Sequence, residues 1–210
     1  ITCSDEAGYT NVPDDNFEQA LITLGYDNFL DDYVFTASID TVAHLYNLYN
    51  LSIADLTGIE DFTALTYLHC NDNQLTSLDV TQNTFLTYLM LENNQLTSLD
   101  VSQNTALTYL DLGGNQLTSL DVTQNTALHT LHCAGNLLTS LDVRNGNNIN
   151  FSSFEATTNP NLTCISVDDA EWSATNWTNI DNASSFGITC SPEPGYTYVP
   201  DDNFEQRLIL

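Results

Sequence analysis

The sequence predicts a solenoid in which short strands from successive coils stack into a parallel sheet on the concave face. A helical cap closes its N-terminal end and a disulfide-tied cap its C-terminal end. Three observations predict it. A 21-residue motif recurs, reading LTYLHCNDNQLTSLDVTQNTF from Leu65, LTYLMLENNQLTSLDVSQNTA from Leu86, LTYLDLGGNQLTSLDVTQNTA from Leu107 and LHTLHCAGNLLTSLDVRNGNN from Leu128. A fixed period of this length marks stacked supersecondary units. Within each copy apolar and polar residues alternate around the second and third apolar positions, the period-2 signature of a strand with one buried face. Finally, a unit this small cannot bury its apolar edge alone, so each coil needs neighbours and the two ends need caps.

Each copy follows L-x-x-L-x-L-x-x-N-x-L. Leu65, Leu68, Cys70, Asn73 and Leu75 fill it in the first copy, and Leu107, Leu110, Leu112, Asn115 and Leu117 in the third. This pattern resembles the leucine-rich-repeat family, which implies an α/β-type repeat fold made mostly of strand and loop. Stacked at about 4.8 Å, the strands place Leu inward and the intervening residues on the concave face. Asn73, Asn94, Asn115 and Asn136 then form an interior column. Their amides can satisfy backbone groups where the chain leaves the strand, as an apolar side chain cannot, so we read them as structural.

The stretches around the repeats divide the chain further. Residues 1–8 read as the end of a preceding module or linker and 9–41 as the N-terminal cap. Residues 42–163 read as repeats, clearest over 65–148, and 164–191 as the C-terminal cap; 192–210 read as a linker and the start of a second N-terminal cap. In the first cap, Pro13-Asp14-Asp15 opens a helix, with Asp15 and Glu18 at capping-box spacing. Phe17, Leu21 and Leu24 form its apolar face and Gly25 its stop. A transition coil should point Val42, Leu45, Leu51, Ile53, Leu56 and Ile59 inward, and Asn47, standing at an apolar position, makes it irregular. Its stretch DLTGIEDFTALTYL resembles internalin-like bacterial repeats. The whole chain resembles secreted or surface-attached modules of large Bacteroidetes proteins, which implies a non-catalytic recognition or adhesion role. At the far end, FSSFEATTNPNLTCISV is a degenerate last coil.

Residues 188–210 repeat residues 1–23 at 18 of 23 positions. We therefore expect one period of a tandem array, in which Cys3 pairs outside this period and the second cap copy lacks repeats to cover. Exposed Phe204, Leu208 and Ile209 would then either fray or dock on a second molecule as a tail-mediated, domain-swapped homodimer through 192–210.

Composition narrows the function. The 210 residues contain 28 Asp and Glu against 2 Lys and Arg, a formal charge of −26. Nucleic acid is excluded as a partner, because phosphate binding needs clustered basic residues. Anionic membranes and polyanionic glycans are disfavoured on the same ground, and no apolar run is long enough to span a bilayer. An acidic surface suits a secreted or cell-surface protein in high salt, for which a marine setting is expected. Cys164 and Cys190 bracket a segment holding Trp172 and Trp177, and a disulfide there fits an oxidising compartment. Cys70 and Cys133 lie three coils apart, roughly 14 Å at strand spacing, too far to bridge, and should be buried thiols.

Candidate binding residues fall in two concave columns. His44, Tyr67, Tyr88, Tyr109, Thr130 and Ser153 form one, an aromatic strip that either binds a partner or stabilises the sheet. Tyr46, His69, Met90, Asp111, His132 and Glu155 form the other, and their variety within a constant frame is where specificity could be written. Asp79, Asp100, Asp121 and Asp142 form a column opposite the main sheet, where calcium or local hydrogen bonds would offset their repulsion; we expect hydrogen bonds. Asp27, Asp31 and Asp32 near the cap are a further calcium candidate, and no other cofactor is expected. No catalytic constellation appears, because most polar residues in the middle are repeat positions. The expectation is a non-catalytic extracellular module for protein interaction or adhesion within a tandem-repeat surface or secreted protein, the alternatives being a carbohydrate-binding module that takes a neutral glycan on the tyrosines and a rigid spacer.

Overall fold

The computed structural model describes residues 8–190. Cys3 and the second cap copy, with its exchanged-dimer reading, lie outside the described residues. Strand β1 (Tyr9–Asn11) pairs antiparallel with β2 (Tyr33–Phe35), and helix α1 (Asp15–Leu24) lies between them in sequence. The repeats follow. Strands β3 (His44–Leu45), β4 (Tyr67–His69), β5 (Tyr88–Met90), β6 (Tyr109–Asp111), β8 (Thr130–His132) and β10 (Ser153–Glu155) build a six-stranded parallel sheet in coil order. On the far side of each coil, β7 (Ser119–Asp121), β9 (Ser140–Asp142), β11 (Cys164–Ser166) and β12 (Ser185–Gly187) form a second parallel sheet. The leucines of both sheets close on one continuous core, with Leu68, Leu89, Leu110 and Leu131 fully buried.

The cap helix covers the open end of that core. Phe17 and Leu21 are fully buried, and the Phe17 ring lies 6.2 Å from that of Phe62. The cap residue is Asp14, not the expected Asp15. One carboxylate oxygen of Asp14 accepts from Asn16 N and Phe17 N, and the other accepts from Ala54 N and Asp55 N, which pins the helix to the transition coil. Glu18 does not reach back to the helix start; its Oε1 accepts from Asp31 N and Tyr33 N. Gly25 ends the helix in the left-handed conformation, φ 83°.

The transition coil also corrects the pattern reading. Leu51 is exposed, and Leu48, three residues past Leu45, fills the core instead. The chain bends there through left-handed Asn50 and Ser52, so the buried positions shift. In the regular coils, Asp72, Asn93, Gly114 and Gly135 recur with φ between 55° and 67°. Asp, Asn and Gly tolerate this region best, which explains residue choices that hydrophobic patterning leaves arbitrary.

Two Asn columns hold the coils together. Asn115 shows the first arrangement: its Oδ1 accepts from Leu96 N at 3.0 Å, and its Nδ2 donates to Leu91 O at 2.9 Å and Leu112 O at 3.1 Å. Asn73, Asn94 and Asn136 repeat it, and Asn159 extends it into the coil that reads as degenerate. Pattern reading missed a second column, Asn83, Asn104 and Asn125, each fully buried and donating to carbonyls of the preceding coil. Asn145 continues that column where the chain from Val143 to Phe151 runs two residues longer than its counterpart from Val122 to Leu128.

At the C-terminal end, α2 (Ala170–Asn176) and β12 cover the last coil, and Cys164 is bonded to Cys190. Trp177 stacks on Phe154 at 4.1 Å and meets Phe151 and Phe186. Cys70 and Cys133 are buried free thiols, both pushed up to about 12 by burial, which makes them unreactive at ordinary pH.

Candidate functional site: the concave face

Parallel register places the first column as expected, with His44, Tyr67, Tyr88, Tyr109, Thr130 and Ser153 as successive Cα partners. Identical coils in parallel register repeat each side chain at strand spacing, so the rings meet. Tyr67 and Tyr88 stack at 5.4 Å, and Tyr88 and Tyr109 at 5.7 Å, with interplanar angles of 26° and 20°. Tyr46, from the second column, joins at 4.6 Å from Tyr67 and stacks on His44 at 5.1 Å. The result is a continuous aromatic ladder from the N-terminal coil to the third repeat, with Tyr46 and Tyr88 exposed and Tyr67 and Tyr109 partly buried.

His69, Met90, Asp111, His132 and Glu155 are likewise in register. Tyr67 OH donates to Met90 Sδ at 3.2 Å, tying the two columns together. Pattern reading missed two members of this face. Tyr49 is exposed and stacks on His69 at 5.1 Å, having entered from the irregular coil. Glu92 sits one turn past the strand and shares a shallow depression with Asp111, His132, Glu155 and the backbone around Gly113 and Gly114. The face therefore has two ends, an aromatic N-terminal half and an acidic C-terminal half built around one histidine.

Electrostatics at the acidic end are coupled. His132 Nδ1 lies 3.7 Å from Asp111 Oδ2, and Nε2 lies 2.8 Å from Ser153 Oγ. The Asp111 carboxylate holds the His132 pKa above its ordinary value, burial opposing and Glu155 and Glu92 adding to the rise. Glu92 is raised by burial and by the charges of Asp111 and Asp72. Because the folded His132 pKa exceeds the unfolded one, its stabilising contribution is complete below about pH 6.5. It is lost as pH rises through the folded value, and partial exposure keeps it under about 1 kcal/mol. In an NMR titration the His132 midpoint should lie above 6.5, and Asp111→Asn should lower it; an unchanged midpoint in the variant would remove Asp111 as the cause.

The remaining candidates are placed as follows. Asp79 Oδ1 accepts from Thr81 N and Oγ1, Asp100 from Ser102 N, Asp121 from Thr123 N and Asp142 from Arg144 N. These local hydrogen bonds lower the pKa of Asp79 and Asp100, while the Arg144 side chain is the main cause for Asp142. Among the described residues, the carboxylates that close to within 4.8 Å of one another are Asp15, Glu18 and Asp32. Of the expected trio only Asp32 belongs to that group; Asp31 meets the helix through its backbone N–H, which donates to Glu18 Oε1, and Asp27 is not a member. Asp111, His132 and Glu155 do not form such a group. No helix among the described residues is long and apolar enough to cross a membrane.

Residues 84–122 and 105–146 match the family model for leucine-rich repeats. Internalin J of Listeria monocytogenes is 41% identical over 72 residues, which are 34% of this chain and 8% of that protein. The functional domain of InlJ from Listeria monocytogenes, described as including a cysteine ladder, superposes with a TM-score of 0.66 at 34% identity over 90% of this chain. This chain spans 46% of that domain, under half its length. InlF of the same species gives a TM-score of 0.58 at 20% identity over 75% of this chain and 52% of the other, a likeness of fold. The repeats from Leu65 onward and the solenoid they build make this an internalin-like leucine-rich-repeat protein.

Proposed function

We propose that this chain is an extracellular, non-catalytic recognition module whose concave face binds a protein partner. The observation that carries the reading is the unbroken ladder of Tyr46, Tyr67, Tyr88 and Tyr109 leading into the acidic pocket of Glu92, Asp111, His132 and Glu155. Tyrosine gives a large contact area with few rotamers to freeze, and it is enriched among residues that dominate binding energy. The partner that fits is an apolar or aromatic segment followed by Lys or Arg, its charge meeting the acidic end. The ring geometry supports protein over glycan. The tyrosines stack on one another, so neighbours cover their faces, whereas a sugar-stacking platform needs an open face. Likeness to internalin J and a disulfide in the C-terminal cap support an extracellular setting.

The test is affinity capture from secreted proteins and from cell-wall polysaccharides, comparing wild type with the Tyr67→Ala, Tyr88→Ala, Tyr109→Ala triple variant. A purified protein partner should bind Tyr88→Ala about 5- to 30-fold more weakly, as expected for a loss of 1–2 kcal/mol. It should also bind Asp111→Asn more weakly, with a salt-dependent on-rate. Capture of polysaccharide alone would replace the protein reading with the glycan one. Equal capture by wild type and the triple variant would reduce the ladder to sheet packing.

A further inference from the structure

Helix α1 and the loop after it converge on a group with no role in the concave face. Asp15 and Glu18 stand three residues apart on one side of the first turns of α1, and Asp32, the loop residue just before β2, is brought close to them. One oxygen from each of the three lies within 4.8 Å of the others. Oxygens on opposite sides of a calcium ion, each about 2.4 Å from it, are about that far apart. Acidic neighbours alone would mean little on a chain this acidic.

Glu18 makes the difference. Its side chain is fully buried, Oε1 holds Asp31 N and Tyr33 N, and Oε2 has no hydrogen-bond partner among the described residues. A buried carboxylate oxygen without a donor is costly, and more so with two further carboxylates beside it. Burial raises the Glu18 pKa against the opposing effect of its backbone donors. Either a proton or a cation removes that cost. Asp15 and Asp32 are exposed and can supply their oxygens while water fills the remaining positions, an arrangement calcium accepts. Magnesium demands stricter octahedral geometry and gives up water reluctantly. Three carboxylates also outweigh the half-charge of the helix N-terminus, which acts against a cation.

We propose that Asp15, Glu18 and Asp32 form a calcium site that fastens the N-terminal cap helix to the loop leading into β2. The site is distinct from the Asp79, Asp100, Asp121 and Asp142 column, whose carboxylates already accept local hydrogen bonds.

The experiment is calcium titration of the full chain in about 0.15 M salt, which screens diffuse binding to the acidic surface. Calorimetry and thermal unfolding are read together. Wild type should bind one calcium saturably, in the roughly 10⁻⁴–10⁻³ M range typical of extracellular modules. At about 100-fold excess over Kd, Tm should rise on the order of 5 °C. Glu18→Gln keeps a carbonyl oxygen for the two backbone donors and should fold without calcium but lose the shift. Asp32→Asn, which tolerates the left-handed backbone at φ 68°, should weaken binding at least tenfold. Asp79→Asn should titrate like wild type. Three results would overturn the proposal: no saturable site in wild type, an unchanged shift in both site variants, or stabilisation by acid but not by calcium. The last would assign a proton to Glu18 instead.

Discussion

Replacing Asn115 with Ala should destabilise the protein by about 3–5 kcal/mol and lower Tm by roughly 10 °C, although the side chain touches no partner surface. The expectation comes from counting hydrogen bonds. The Leu91 and Leu112 carbonyls each accept from a second column residue, Asn94 and Asn136, so both stay satisfied. Leu96 N has Asn115 Oδ1 as its acceptor and is left orphaned inside the solenoid. An unpaired buried N–H costs about 1–3 kcal/mol, and the two lost amide bonds add about 1 each. Asn104→Ala provides the contrast. Its Nδ2 donates to Val80 O and Asn83 O, but its Oδ1 accepts nothing, so no N–H is stranded and the loss should be about 1–2 kcal/mol. Paired thermal and urea unfolding of the two variants measures the difference. Equal losses would mean that the first column is no more than a spacer between coils.

The repeat region was legible because its information is local and duplicated. A 21-residue period with Leu at four fixed places determines the strands, and parallel register then determines which side chains meet, so the Tyr67–Tyr88–Tyr109 stack follows from spacing alone. Legibility ended where identity depended on long-range geometry. Leu48 replaces Leu51 because the transition coil bends through left-handed residues, and no hydrophobic period encodes a bend. The second Asn column was visible as Asn83, Asn104 and Asn125 in a repeated T-Q-N-T or S-Q-N-T, but hydrophobic periodicity assigns no inward face to so polar a stretch. Its burial comes only from carbonyls one coil away. Asn159 was equally available, five residues past Phe154 as Asn136 is past Leu131. Glu18 reads as a helix-capping residue by spacing, and only the return of Asp31 to Tyr33 shows that its oxygen is used elsewhere. In the candidate site the two concave columns were readable, whereas Tyr49 and Glu92 come from outside the strands and needed the fold.

Removing Trp177 should loosen the C-terminal cap, and open it once the disulfide is reduced, while leaving the tyrosine ladder in place. The ring is 5% exposed and stacks on Phe154 at 4.1 Å, with Phe151 at 5.1 Å and Phe186 at 5.8 Å around it. Trp→Ala in such a cluster costs about 3–5 kcal/mol. The Cys164–Cys190 bond closes a loop containing Trp172, Trp177 and Phe186, and for a separation of 26 residues it constrains the unfolded chain by roughly 3–4 kcal/mol. In Trp177→Ala the disulfide should therefore still hold the cap near the last coil, and reduction should release it. Solenoid stability is a sum of nearest-neighbour terms, so the loss should stay in the coils carrying β10 and β11 instead of spreading to β4–β6. Wild type provides the optical reference, because its two tryptophans both lie in the cap. On heating under reducing conditions, tryptophan emission should change before far-ultraviolet circular dichroism does. For reduced Trp177→Ala, hydrogen exchange should show lost protection over residues 153–166 and retained protection over 65–112. A partner bound through Tyr67, Tyr88 and Tyr109 should then still bind, with contacts to Glu155 weakened. Coincident transitions and uniform loss of protection would instead make the solenoid one cooperative unit, with the C-terminal cap supporting the binding face along its full length.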